Sequence, residues 1–330
     1  YTLSLHDALP ISDYNSLYTL VLLSVMFYMP TIALSNSVAY NALEKAGLDT
    51  VTHFPPIRVW GTVGFICAMW VVDLGKMGLS ATQLYFSATL GLILGLYSFT
   101  LPNCPINRSG GGKSIVDLLG LRAFALFKQR KMAIFFIFSM LLGMSLQITN
   151  AFADGYIKSF GDTGIHGAKY LGTFGVEHST ILISLSQISE TLCILLIPFF
   201  LKRFGIKRVM LIAMFAWVLR FALLGAGNPG PGVWMFILSM IVYGVAFDFF
   251  NISGSLFVEK ETSAAIRSSA QGVFMIMTNG LGALIGSYLA GWVVNHYGWP
   301  LSWYLFAGFS LVVAIVFAVI FKYKHDPNRI

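Results

Sequence analysis

Four charged residues stand inside long apolar runs of this chain: Arg58, Glu190, Arg220 and Asp248. A charge at membrane depth is costly unless it is paired or wet, so each is a candidate for chemistry. A helix advances about 100° per residue, which tells what shares a face with them. Arg58, Thr62 and Phe65 stand at i, i+4 and i+7 and form one stripe. Gln147 and Asn150 stand at i and i+3, and Gln187 and Glu190 repeat that spacing. Tyr243 and Phe247 are i and i+4, with Asp248 a quarter-turn away. Amides, carboxylates and an arginine supply donors and acceptors for hydroxyl groups and for the edge of a heteroaromatic ring. Phe65, Tyr243 and Phe247 supply faces on which a flat ring can stack.

Any single pair of this kind is explained equally well as a hydrogen-bonded tie between helices. Four stripes of one chemistry on four segments favour a shared cavity. Arg220 has no partner on its own stripe and reads as a structural ion pair or a snorkelling side chain. Gly91-x-x-x-Gly95 and Gly282-x-x-x-Gly286 permit close helix approach. Pro30 and Pro198, inside apolar runs, suggest kinks. The string SGGGKS at 109–114 lacks the first glycine and the preceding strand of a phosphate loop, and reads as flexible linker.

The elements that must position these residues are membrane helices. Of the 330 residues, 57% are hydrophobic and 11% charged, against about 25% charged in a soluble domain, and the mean hydropathy is +0.76. This excludes a disordered tail, a coiled coil and a soluble two-domain enzyme, and gives an all-α, polytopic membrane protein. Runs long enough to cross about 30 Å of hydrocarbon lie near 16–39, 56–73, 77–101, 131–153, 179–201, 207–226, 232–258, 268–295 and 301–321. Pro55-Pro56 marks the start of the second, and Asn228-Pro229-Gly230-Pro231-Gly232 a tight turn. Tyr297, Trp299, Trp303 and Tyr304 read as an interfacial belt. Three cysteines (Cys67, Cys104, Cys193) without ligand spacing imply neither a disulfide framework nor a metal site, and no cofactor is implied.

Alternate loops differ in charge. Of the 21 basic residues, 16 fall in one set of loops, which includes 102–130, the stretch Lys202–Arg208 and the C-terminus. By the positive-inside rule that set is cytoplasmic, so the net charge of +7 reflects topology and not nucleic-acid binding. Tyr1–Ser12 (YTLSLHDALPIS) resembles the translation of a sequencing-adapter oligonucleotide and is set aside as non-native. The polar stretch 103–130 follows three spans and precedes six. Six spans after a dividing loop imply six before it, so three are expected to be missing from a twelve-span parent of two six-helix bundles. The expected organisation is therefore 1–12 non-native, 13–102 a remnant of the N-terminal bundle (its helices four to six), 103–130 a cytoplasmic linker and 131–330 the C-terminal bundle. Nine of twelve transmembrane helices would be present, and a transporter in this form is expected to be inactive.

The stretches FPPIRVWGTVGFICAMWVV (54–72), ALFKQRKMAIFFIFSMLLGMSLQITN (125–150), SQISETLCILLIPFFLKRFGIK (186–207) and SMIVYGVAFDFFNISGSLFVEKE (239–261) strongly resemble the nucleoside:proton symporter family of the major facilitator superfamily. LKRFGIKR (201–208) is similar to the superfamily's signature loop between the second and third helices of a bundle. The resemblance covers residues 16 to 325. It implies proton-driven uptake of nucleosides such as uridine and adenosine across the bacterial inner membrane by a monomer in the lipid bilayer, with the C-terminus cytoplasmic. It implies a binding site of Arg58, Thr62, Phe65, Gln147, Asn150, Gln187, Glu190, Tyr243, Phe247 and Asp248, the set that the face arithmetic selects.

The expected mechanism is alternating access, in which two bundles rock around a midplane site. Glu190 is the first candidate to carry the proton, since a carboxyl held away from water is able to take one up. Asp248 is the second, with a structural role in the FDFFN turn as its alternative. A sugar–proton symporter of the same superfamily is the nearest rival reading, and the aromatic lining favours a nucleoside over it. A polytopic enzyme such as a lipid-linked transferase would need acidic or metal-binding clusters, and no DxD or HxxxH occurs. A non-transporting sensor would bind without turnover.

Overall fold

The structure, a computed structural model, describes residues 14–48, 50–77, 80–101, 121–162, 169–263 and 266–323. The segment 1–12 and the SGGGKS string lie outside the described residues. The chain divides into two compact units, Tyr1–Gly111 and Gly112–Ile330, and each is described by itself. Each of the nine apolar runs falls on helix, and among the described residues there is no strand. In hydrocarbon each backbone N–H and C=O must be satisfied within its own segment, which a helix does.

The first unit holds α1 (Tyr14–Lys45), α2 (Thr50–Leu74) and α3 (Thr82–Ser98). Trp60, Tyr85 and Phe99 are among its widely exposed apolar side chains, and α3 buries none of its residues. The helices are apolar all round, as suits segments surrounded by lipid or by further helices. Two expectations change here. α2 starts at Thr50, before Pro55-Pro56, because proline's fixed φ suits a helix and its cost falls on the carbonyl one turn upstream, close to the helix start. A Cβ on Gly91 or Gly95 would meet nothing within 4 Å, so this pair brings no helix close within its unit.

The second unit opens with a 3₁₀ turn, Leu121–Lys128, and continues with α4 (Arg130–Ser159), a single turn at Phe174–Glu177, α5 (Ser179–Ala226) and α6 (Val233–Glu261). α7 (Arg267–Met275), a π-helical stretch (Ile276–Gly282) and α8 (Ala283–Tyr297) follow without a break, and α9 (Trp299–Ile320) ends the bundle. Among the described residues five helices are long and apolar enough to cross a membrane. One of them, α5, has 48 residues and a length of about 72 Å, twice what one crossing needs. It contains the expected fifth and sixth spans. Their junction is Gly205, at φ 77° and ψ 165°, backbone that a side chain would strain. Pro198 lies within the helix and is not where its direction breaks; α1 is helical through Pro30, whose side chain lies outside the description.

The two ends of this unit differ in charge. At one, the Lys131 ammonium donates to Glu261 at 2.5 Å and lies over the ring of Tyr323, and Lys207 donates to the Ala318 carbonyl at 3.0 Å. At the other, Asp154 accepts from Lys158 at 2.7 Å and from the Ser179 hydroxyl at 2.6 Å, tying α4 to the start of α5. Here Asn228 folds the expected turn by accepting from the backbone N–H groups of Gly230 and Gly232. Trp303 departs from the aromatic-belt expectation. It is wholly buried, 5.3 Å from Tyr156 and 5.9 Å from Phe221, because its position on α9 faces α5. Tyr297 and Tyr304 are exposed.

Gly282 and Gly286 do bring helices together. A Cβ on Gly282 would lie 2.5 Å from the Met140 carbonyl oxygen, and one on Gly286 2.7 Å from the Met144 Cα. On the facing helix, a Cβ on Gly143 would lie 2.1 Å from the Thr278 carbonyl oxygen. Backbone meets backbone there, so no side chain can turn aside. Gly143→Ala is expected to cost about 2 kcal/mol or more, read as a lower unfolding temperature of the purified protein in detergent. Gly291→Ala, whose Cβ would first meet Phe152 at 3.8 Å, should leave that temperature unchanged; equal effects of the two would refute the seam.

Candidate functional site

α5 and α6 touch at backbone distance. A Cβ on Gly244 would stand 2.6 Å from the Ser189 carbonyl, and the Ser189 hydroxyl donates to the Ile241 carbonyl. One turn away the Ser186 hydroxyl meets the Met240 sulfur at 3.1 Å. Small residues with hydroxyls that bond to neighbouring carbonyls give this kind of contact in membrane helices, where lipid supplies no hydrophobic drive toward association.

This seam sets the place of Tyr243, which is buried and stacks on Phe247 with centroids 5.8 Å apart and planes 21° from parallel. The rings of Trp217 and Tyr243 stand nearly perpendicular, with centroids 6.0 Å apart. The Arg220 guanidinium lies 4.7 Å from the centre of the Tyr243 ring. Its Nη1 donates to the Ser239 carbonyl, and the Ser239 hydroxyl returns a bond to the Arg220 carbonyl at 3.1 Å. Arg220 is only 1% exposed. It therefore does not snorkel: a mid-span cation has no water within reach of its stem, and the ring face and carbonyl take up its charge instead.

Of the expected residues, Asn150, Glu190 and Asp248 are near enough to the Tyr243 hydroxyl to act on it electrostatically. Asn150 comes from α4, Glu190 from α5, and Tyr243 and Asp248 from α6. Asp248 is 3% exposed. Gln147 and Gln187 are half-buried on the same two helices as Asn150 and Glu190. Arg58, Thr62 and Phe65 lie on α2 of the other unit, at spacings that one helix places on one face. Thr62 is half-buried there and Phe65 exposed, while the side chain of Arg58 lies outside the description.

Beside the aromatic stack opens a narrow cleft, lined by Trp217, Phe247, Phe250, Asn251, Thr278 and Asn279 among others. Of these only Phe247 stands in the set read from the sequence. Asn251 was discoverable, since it is i+4 from Phe247 and continues its stripe. Trp217 and Asn279 were not, because they enter from other helices whose rotation no stripe on α6 reveals. Among the described residues no group of three His, Cys, Asp or Glu side chains could hold a metal ion.

Known proteins carry the same chain pattern. A family described as nucleoside H+ symporter matches residues 2–326. The nucleoside permease NupG of Escherichia coli (strain K12) is 51% identical over 98% of this chain and 78% of its own length. The xanthosine permease of the same organism is 49% identical over the same shares. A crystal structure of the nucleoside transporter NupG superposes with a TM-score of 0.83 at 52% identity, covering 97% of this chain and 80% of that one. A family match along nearly the whole chain, with half its residues shared with two permeases, means that this protein belongs to the nucleoside H+ symporter family.

Proposed function

We propose that this chain belongs to a proton-coupled nucleoside uptake system of the bacterial inner membrane, working by alternating access in the major facilitator fold. The single observation that carries the site is the company kept by Tyr243. One ring stacks on Phe247, while its hydroxyl stands among Asn150, Glu190 and Asp248. A nucleoside needs both parts of that arrangement, a flat apolar face for the base and hydrogen-bonding groups for the ribose hydroxyls and base edge.

In this reading Tyr243 and Phe247 hold the base by stacking, with Phe65 as a third aromatic face. Gln147, Asn150, Gln187, Arg58 and Thr62 grip hydroxyls and ring edges. Glu190 takes up the proton, with the buried Asp248 as the second candidate. Since nucleosides are neutral, a cotransported proton makes each cycle move one net charge, so the membrane potential as well as the pH gradient drives uptake. The basic end of the second unit, at Lys131, Lys207 and Lys322, faces the cytoplasm together with the C-terminus. The protein works as a monomer within the lipid bilayer.

The test is uptake of labelled uridine by cells that lack nucleoside transporters, with the 330-residue chain and with the same chain preceded by three further spans. Accumulation by the extended protein that a protonophore abolishes is the expected result; no uptake by that protein, shown to be folded in the membrane, refutes the uridine assignment. Glu190→Gln should still equilibrate uridine across the membrane but should not concentrate it. If that variant concentrates uridine as the parent does, Glu190 is not the proton carrier. Phe247→Ala removes the stacking face, worth about 1–3 kcal/mol per base, and should raise the KM for uridine about tenfold with little change in the amount of protein in the membrane.

A further inference from the structure

Two asparagines of the cleft are outside the site derived above, and their surroundings are unusual. Asn251 lies on α6 one turn beyond Phe247, so both project toward one side of that helix. Asn279 lies in the π-helical stretch Ile276–Gly282 that joins α7 to α8. A π turn widens the helix by one residue and recurs where a helix must present a group to a ligand. Its local cause is visible here. The Thr278 hydroxyl bonds back to the Phe274 and Met275 carbonyls, and the Thr278 backbone is pressed against Gly143 of α4.

Of the polar residues lining the cleft, Thr278 has thus used its hydroxyl within its own helix. Asn279 has only a long contact from its amide nitrogen to the Met275 sulfur at 3.7 Å. The Asn251 amide makes no hydrogen bond among the described residues. Two primary amides therefore open on one cleft, from two different elements, beside the aromatic face of Phe247 and the indole of Trp217. An amide left without partners at membrane depth is costly unless a ligand or water meets it. Each amide also offers both an acceptor and a donor, and either can be turned toward a ligand by rotating the group.

We propose that Asn251 and Asn279 are specificity-determining residues that read the hydrogen-bonding edge of the nucleobase stacked against Phe247. This inference rests on the nucleoside reading above and deepens it. The amides near Tyr243 grip the ribose and the near part of the base edge, and Asn251 and Asn279 read the part of that edge on the far side of the cleft. Because amides accept and donate, such a site takes bases that carry a ring carbonyl and bases that carry a ring amino group. It discriminates against bases that lack such a group at the 4-position, the edge assigned to these amides, since the amides are then left unpaired.

The experiment compares uridine with its 4-deoxy analogue, which keeps the ribose, the ring and the 2-carbonyl but lacks the 4-carbonyl oxygen and the N3 proton. In the full protein the analogue should have a KM about tenfold or more above that of uridine. Asn251→Ala and Asn279→Ala should each raise the KM for uridine and bring the ratio of the two KM values below about threefold. Asn251→Gln and Asn279→Gln, which keep the amide, should preserve much of the ratio. Each ratio is taken within one variant, so it does not depend on how much folded protein the cells hold. Equilibrium binding of both compounds to purified variants gives the same ratio if an alanine variant no longer transports. A parent protein that takes both compounds equally well, or alanine variants that keep its ratio, would overturn the assignment while leaving nucleoside transport intact. A parent that carries no nucleoside would overturn the underlying reading as well.

Discussion

Where α5 passes α6, the Ser189 hydroxyl donates to the Ile241 carbonyl, and Gly244 has no side chain to hold the two backbones apart. The spacing set at that point fixes what the neighbouring turns can do. One turn from Gly244, Met240 is near enough for Ser186 and Arg220 to reach its sulfur. Ser239 and Arg220 exchange two hydrogen bonds across the helices, and Tyr243 is left with its ring under the guanidinium. A larger residue at 244 would lift α6 away and strand the Arg220 cation in an apolar interior, where breaking a buried charged contact costs far more than the contact contributes when intact.

A second seam of the same kind runs along α4. Gly143 faces the Thr278 carbonyl, Gly282 the Met140 carbonyl and Gly286 the Met144 backbone. It differs from the first in what lies opposite. There the partner is a regular helix; here it is the π-helical stretch, whose wider turn is pinned by the bonds from Thr278 to its own helix. The cleft lies between the two seams, with α6 on one side and the π turn on the other. Its shape thus depends on four glycines, Gly143, Gly244, Gly282 and Gly286, of which Gly143 also stands in its lining.

The spans were legible because apolar length is a strong signal in a membrane chain, and each of the nine runs falls on helix. Faces were legible within a helix as well: Tyr243 and Phe247, read as i and i+4, do stack on one another. What spacing does not carry is the rotation of one helix against another. Arg220 was read by its own stripe, which is apolar, whereas its partners Tyr243 and Ser239 are on α6. Trp303 was read by its neighbours in sequence, Tyr297 and Tyr304, which are exposed, whereas packing against Tyr156 buries it. The junction in α5 was expected as a loop of charged residues. It is a single left-handed glycine, because basic side chains at a span end can reach water from a helix as well as from a loop.

Coupling between two ligands requires that each change the free energy of the other's site, and distance alone does not provide it. Here one residue touches both candidate sites. The Tyr243 ring extends the stack that starts at Phe247, and its hydroxyl lies in the field of Glu190 and Asp248. Arg220 holds that ring from the face by a contact that depends on its charge. When a carboxyl beside Tyr243 gains a proton, the negative charge acting on the hydroxyl falls while the cation on the ring stays. A phenylalanine at 243 would keep the stack but lose this link, since only the hydroxyl carries the carboxyl's charge into the ring that the base would share.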